Sequence, residues 1–355
     1  MSFYSSDHGP RGRDTAAARP IRIRRAWLLP AALRCALVVS AALSGGCQAG
    51  GPRPATAEQN ELRRRAEDLL VRAGLSEVDV VRVNAIEALV QVLPEAGLPG
   101  IRESLGNESP LVRYAACVAL GELRDRATLP KIRPLIAESN PRVRLAAAFA
   151  ATRCGESNNA AVLVETMNGH PDENLRADAA YLIGKLGEKK ALKRLRLAAK
   201  RERSGRVLMH IYTAMAMLGD EYALDRLMEA AVSSDVIARL IALQSLTELA
   251  SPRSRDALLY RFQQEGDYDQ VRLMAARGLG RLGAKVGYDL AVKSLRRQES
   301  DPNETMRIRS LAALALGAIG DARALPLLAE VAADESDPRT QVAASLAICQ
   351  IARRK

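Results

Sequence analysis

The chain has 355 residues, of which 48% are hydrophobic, 26% charged and only 3% aromatic, with one Trp and three Phe. So little aromatic bulk excludes a compact β-sandwich or doubly wound sheet of this size, and so much apolar content excludes a disordered chain. The net charge of +11 is local: residues 1–46 carry +5 and residues 185–206 carry +8, leaving −2 for everything else.

From Arg22 the chain reads Arg-Ile-Arg-Arg-Ala-Trp-Leu-Leu, passes Arg34, runs apolar from Cys35 to Leu43 and closes with Ser44-Gly45-Gly46-Cys47. A basic stretch, an apolar core and a zone of small residues make the layout of a secretory signal. Pro30 and Arg34 interrupt the 17 residues from Trp27 to Leu43, which makes a poor transmembrane helix. The ending resembles the lipobox of bacterial lipoproteins, although Ser44 stands where that family has Leu. The resemblance implies that residues 1–46 are a signal peptide and that Cys47 is lipidated. The chain is then expected to be exported and anchored as a lipoprotein on the periplasmic side of the bacterial cell envelope. A leader retained as an uncleaved anchor is the alternative, and a cytosolic protein with an unusual N-terminus a remoter one. Residues 47–57, with Gly50, Gly51, Pro52 and Pro54, read as a flexible linker.

Beyond the linker the sequence repeats itself about every 32 residues, a period that marks stacked supersecondary units. An anchor slot holds Arg82, Arg113, Arg144, Arg176, Leu208, Arg239, Arg272, Arg309 and Gln341. Three residues later the slot is Ala in every repeat but one, as Ala85, Ala116, Ala147, Ala179, Ala242, Ala275, Ala312 and Ala344, with Ile211 the exception. Apolar residues one before the anchor and three, seven and ten after it (Val112, Ala116, Leu120, Leu123) form one face of an amphipathic helix. The next slot is Gly at 155, 187, 219, 283 and 320, a left-handed helix end. Pro99, Pro130 or Pro326, or an Asp in their place, then opens a second helix. The unit is helix, tight turn, helix, loop, with no room for a strand. Such a pair cannot bury its apolar faces alone, so the units stack on one continuous core.

This pattern resembles HEAT repeats of the short, phycobilin-lyase-like type over residues 58–355. The resemblance implies an all-α, right-handed α-solenoid: a capping helix at 58–74, eight repeats and a terminal half repeat. Second helices usually line the concave side in that family. The Arg and acid columns are expected to hydrogen-bond between stacked units.

Residues that could carry chemistry are sparse. Past the leader only His170 and His210 remain, far apart in the chain and too few for a metal site. Cys117, Cys154 and Cys349 occupy apolar or small-residue slots and read as buried hydrophobes. No phosphate-binding Gly-rich loop and no nucleophile elbow is present. No catalytic residue, metal or cofactor is therefore expected, and the chain reads as not an enzyme.

One cationic stripe stands out. Lys193, Arg196 and Lys200 fall within about 60° of one another on a helix, opposite Leu195 and Ala198, and Arg102 and Arg133 hold the slot of Arg196 in other repeats. These five are the candidate site for an anionic partner. Nucleic acid is not expected, because base recognition needs aromatic platforms that this chain lacks. The function these features suggest is a membrane-tethered scaffold that binds a protein partner, with no small-molecule substrate. The alternative is a phycobilin-lyase-like enzyme or accessory subunit; a nucleic-acid-binding HEAT protein is a remoter one.

Overall fold

Each repeat of the sequence becomes one helical hairpin. In the computed structural model the described residues are 56–354, and no strand occurs among them. The leader, Cys47 and the linker up to residue 55 lie outside the described residues. Helix α1 (Ala57–Ala73) comes first, followed by α2 (Asp79–Val92) with α3 (Pro94–Glu103), α4 (Pro110–Glu122) with α5 (Leu129–Ile132), and α6 (Pro141–Arg153) with α7 (Ala160–Gly169). Next are α8 (Glu173–Leu186) with α9 (Leu192–Arg201), α10 (Gly205–Met217) with α11 (Glu221–Val232), and α12 (Val236–Leu249) with α13 (Arg255–Phe262). The last are α14 (Asp269–Arg281) with α15 (Tyr288–Leu295), α16 (Pro302–Ile319) with α17 (Leu325–Ala333), and finally α18 (Pro338–Arg353) alone.

Among the described residues, six of the nine even-numbered helices begin where the sequence supplies a cap. Asn140, Asp172, Ser204, Asp235, Asp301 and Asp337 each accept from a first-turn amide, satisfying donors that the helix itself leaves free. Five even-numbered helices end where Gly155, Gly187, Gly219, Gly283 and Gly320 turn the chain at positive φ. The shortest second helix of a hairpin, α5, gives way to a 3₁₀ segment over Arg133–Ala137, because Pro134 has no amide to continue the α-helical ladder.

The anchor arginines fasten the edge where hairpins join. Arg113 donates to the carbonyls of Asn107 and Glu108 and to the Glu138 carboxylate (2.9 Å). Arg176 does the same with His170, Pro171 and Glu202. One guanidinium thus grips the loop before its helix and the loop after its hairpin. At the opposite edge the turn acids take up the second-helix arginines of the preceding repeat: Arg102 to Asp125 (2.8 Å), Arg133 to Glu156 (2.6 Å) and Arg196 to Asp220 (2.6 Å). Where that second helix carries no such Arg, the acid turns to its own loop, as Glu188 does to Lys190 and Asp321 to Arg323. Both columns hold hairpins together, as the repeat pattern implies.

The stack does not stay open. Helix α18 packs on α16 as each even helix packs on the one before, but its other side packs on α1 and α2. Val342, Ala343, Leu346, Ala347, Ile348 and Cys349 are all buried, as are Ala66 and Leu70 of α1. An open solenoid would leave one face of its last helix in water. Helix α1 takes the place of the missing second helix of the half repeat. It covers no free end as a cap would, and Glu67 and Arg353 face each other at 3.8 Å across the seam. Residues 56–354 thus form one closed ring of hairpins.

Candidate functional site

Closure decides which helices face the centre. Lys185 on α8 pairs with Glu122 on α4 and with Glu248 on α12 (3.6 Å), each two hairpins away and on opposite sides. Only side chains directed to the middle of a ring can meet across such intervals. The even helices therefore form the inner wall and the odd ones the outside. The expectation that second helices line the concave side is corrected: a curve tight enough to close brings the first helices inward.

The inner wall holds a polar cluster. The Tyr181 hydroxyl donates to Glu248 (2.9 Å), the Lys185 ammonium lies 5.3 Å above the Tyr181 ring, and His210 meets that ring edge-on at 6.4 Å. Asp178 pairs with Arg142 at 3.0 Å. Arg277 stands in the field of Glu87 and Glu248. Burial works against the charge on Lys185, but Glu122 and Glu248 outweigh it and hold its pKa above the ordinary lysine value. Burial and then Glu248 push the Tyr181 hydroxyl well up, and burial and then Asp178 do the same to Tyr114. Burial and the neighbouring Arg281 bring Arg277 down to about 10. Near neutral pH Lys185 and Arg277 stay charged and both phenols stay protonated, so this wall offers fixed charges and hydrogen-bond donors.

Sequence reasoning finds no polar cluster breaking the slot pattern, and the ring supplies one. Seven of its members lie five or nine residues after the anchor: Glu87, Tyr181 and Arg277 in the first slot, Glu122, Lys185, Glu248 and Arg281 in the second. In other repeats those slots hold Gln91, Arg153, Thr213, Gln244 and Gln350 as well as Val118, Phe149 and Leu314. Polar residues there read as the solvent-facing side of a helix, so no sequence signal marked their convergence.

The candidate stripe divides. Lys193, Arg196 and Lys200 are all exposed on the outer face of α9, with Leu195 and Ala198 buried beneath them as the helical spacing implies. Arg196, however, is bound to Asp220, and Arg102 and Arg133 are bound to Asp125 and Glu156 on other repeats. The structure does not bring the five together: Arg102 and Arg133 fasten their own hairpins at a distance from α9. Helix α9 contains no acidic residue.

A second exposed surface follows at the edge where α11 meets α12 and α13 meets α14. Val232, Val236, Ile237, Tyr260 and Tyr268 are all exposed there, Tyr268 at 76%. Arg261 donates to the Ala231 carbonyl (3.0 Å), and Arg239 reaches Asp267 at 3.9 Å, so the two loops are tied side by side.

The remaining candidates carry no reactive chemistry. Cys117, Cys154 and Cys349 are buried and unpaired with one another, and burial pushes the thiols of Cys117 and Cys349 up to about 12. Among the described residues no group of His, Cys, Asp and Glu is placed to hold a metal ion, and no helix is long and apolar enough to cross a membrane.

A closed stack of helical hairpins fastened by Arg and acid columns defines a helical-repeat protein. The family model for HEAT repeats matches residues 66–153, 130–216, 160–247 and 256–348, and the chain belongs to the HEAT-repeat family. None of the curated proteins matches the chain. Among solved structures it is similar to human deoxyhypusine hydroxylase in complex with glycerol (16% identity, 83% of this chain and 97% of that one, TM-score 0.37). It is also similar to the CpcE–CpcF complex of phycocyanin lyase from Nostoc sp. PCC7120 (18%, 77% and 98%, 0.39). A third is Kap121p bound to RanGTP (17%, 82% and 37%, 0.29). The expectation of a chain that is not an enzyme is corrected by these likenesses: a hydroxylase and a lyase are among them, so the architecture does not set catalysis aside.

Proposed function

We propose that this chain is an exported, membrane-tethered HEAT-repeat scaffold that binds a protein partner in the bacterial cell envelope. The observation that carries the reading is the edge patch of Val232, Val236, Ile237, Tyr260 and Tyr268. Apolar and tyrosine side chains gathered at one exposed edge are the composition from which interface anchors are drawn. The tether is the lipid on Cys47, for which the basic stretch, apolar run and small residues before it are the support. Two or three acyl chains hold a protein on a bilayer stably, whereas one does not.

Two experiments test the two halves. Cys47→Ala should move the protein out of the membrane fraction; unchanged fractionation would replace the lipid with a retained leader. Cross-linking in intact cells should capture a defined partner that disappears with Ile237→Asp plus Tyr268→Ser at unaltered thermal midpoint. Capture that survives both substitutions would remove the patch from the function.

A further inference from the structure

We infer that the outer face of α9, with the groove at its C-terminal end, binds the phosphate-bearing surface of an anionic phospholipid bilayer. The inference rests on the tethered reading above, since the anchor is what brings the ring to a bilayer. At full extension the chain from Cys47 to the start of α1 spans at most ~35 Å, so an anchored ring stays close to the headgroups.

The face itself is built for that contact. Lys193, Arg194, Lys200 and Arg201 on α9 and the flanking Lys189 and Arg203 are exposed, and none has an ion-pair partner among the described residues. The nearest acids are occupied: Glu188 by Lys190, Glu202 by Arg176 and Asp220 by Arg196. Leu197 stands 46% exposed in the middle of these cations. On the helical wheel it falls between Lys193 and Arg201, pointing away from the buried Leu195 and Ala198. A large apolar side chain ringed by free cations on a convex helix is the pattern of a helix lying on a lipid surface, where the cations meet phosphate and the leucine enters the boundary. At the end of α9 a groove of about 310 Å³ is lined by Met167, Asn168, His170, Arg201, Glu202 and Arg203 among others. It offers a headgroup phosphate two free guanidinium groups, with the Glu202 carboxylate already held by Arg176. An acidic protein would match the charge but leaves the exposed Leu197 and the convex shape without a role.

The test uses the full chain carrying Cys47→Ala, so that no acyl group contributes, and vesicles of phosphatidylcholine with or without about 30% phosphatidylglycerol. The fourfold variant Lys193→Glu, Arg194→Glu, Lys200→Glu and Arg201→Glu should lower partitioning onto the anionic vesicles at least tenfold and leave neutral vesicles unaffected. Raising salt to about 0.5 M should weaken the parent in the same way, because the Debye length shrinks to about 4 Å and screens the attraction to the headgroups. Separately, Leu197→Trp in a Trp27→Phe background should shift its emission to the blue on anionic vesicles only. Partitioning indifferent to the four substitutions, or a Leu197→Trp emission unmoved by lipid, overturns the inference. So does binding to an acidic polypeptide with none to vesicles. Because Cys47 is Ala throughout, failure here leaves the tether itself standing, and that is judged by fractionation alone.

Discussion

At seven of the eight turns that follow an inner helix, the residue eleven after the anchor sits at positive φ, yet only five of the seven are Gly. Arg124 (φ 53°) and Ala250 (φ 46°) hold the left-handed conformation with a Cβ, at a cost of about 1–2 kcal/mol that Gly avoids. Gly loses about 0.5–1 kcal/mol of that advantage through its freer unfolded chain. Ala250→Gly should therefore stabilise the ring by about 0.5–1 kcal/mol, seen as a higher calorimetric midpoint; a lower one would mean the methyl group packs usefully. A second residue sets a pH dependence. His210 Nδ1 is buried without a partner, and burial, then Arg206, lowers the imidazole pKa to about 4. Between an ordinary value of about 6.5 and that folded value, the unfolded chain binds a proton the folded chain refuses. The contribution is complete above about pH 6.5 and is lost as pH falls toward 4, on the order of 3 kcal/mol at its limit. Midpoints measured from pH 4 to 7 should slope upward, and His210→Phe should flatten that slope. An equal slope in the variant would place the acid sensitivity elsewhere.

Between elements, the closeness of neighbouring inner helices follows one slot, eight residues after the anchor. It holds Gly121, Gly184, Gly280 and Gly317, and the four pairs that approach most intimately are α4 with α6, α8 with α10, α14 with α16 and α16 with α18. A Cβ on Gly184 would lie 2.6 Å from the Ala214 Cα, and one on Gly280 2.6 Å from the backbone of Ala318 and Ile319. Neither neighbour can step aside without moving its helix. Gly184→Ala should cost about 1–3 kcal/mol by forcing α8 and α10 apart, although Ala is the better helix former. Ala147→Leu and Ala275→Leu, at fully buried positions, should cost a similar amount. Chemical denaturation checks all three, and a neutral Gly184→Ala would mean that the pair relaxes freely. The Ala column three after the anchor was legible because it recurs in nearly every repeat. The Gly column was not, because Val90, Thr152, Ala216 and Thr247 interrupt it. Period, helix faces and turns could be read because each is set within a dozen residues of chain. The inner wall could not: Glu87, Glu122, Lys185 and Glu248 have the spacing of solvent-facing charges, and only curvature makes them neighbours.

At the scale of the whole ring, the seam between α1 and α18 joins the two ends of the repeat array, which no local pattern encodes. Stability in an open helical array is close to a sum of units and nearest-neighbour interfaces, so the ends fray first. Closing the array adds one interface and removes both ends, so every hairpin keeps two neighbours until the ring breaks. The seam depends on apolar burial more than on charge: Leu70 and Ala66 are buried against α18, whereas the pair of Glu67 with Arg353 is long and partly exposed and contributes at most about 1 kcal/mol. Leu70→Asp places a carboxylate in that interface without a partner and should release α1. The scattering radius of gyration should rise, the single thermal transition should broaden, and amides of α18 and α2 should lose hydrogen-exchange protection before those of α8 and α10. Exchanging the charges of Glu67 and Arg353 should leave all three readouts near the parent. If Leu70→Asp left α18 as protected as the middle of the ring, the end helices would hold by their own hairpins, and the inner polar wall would have to form without the closure that gathers it.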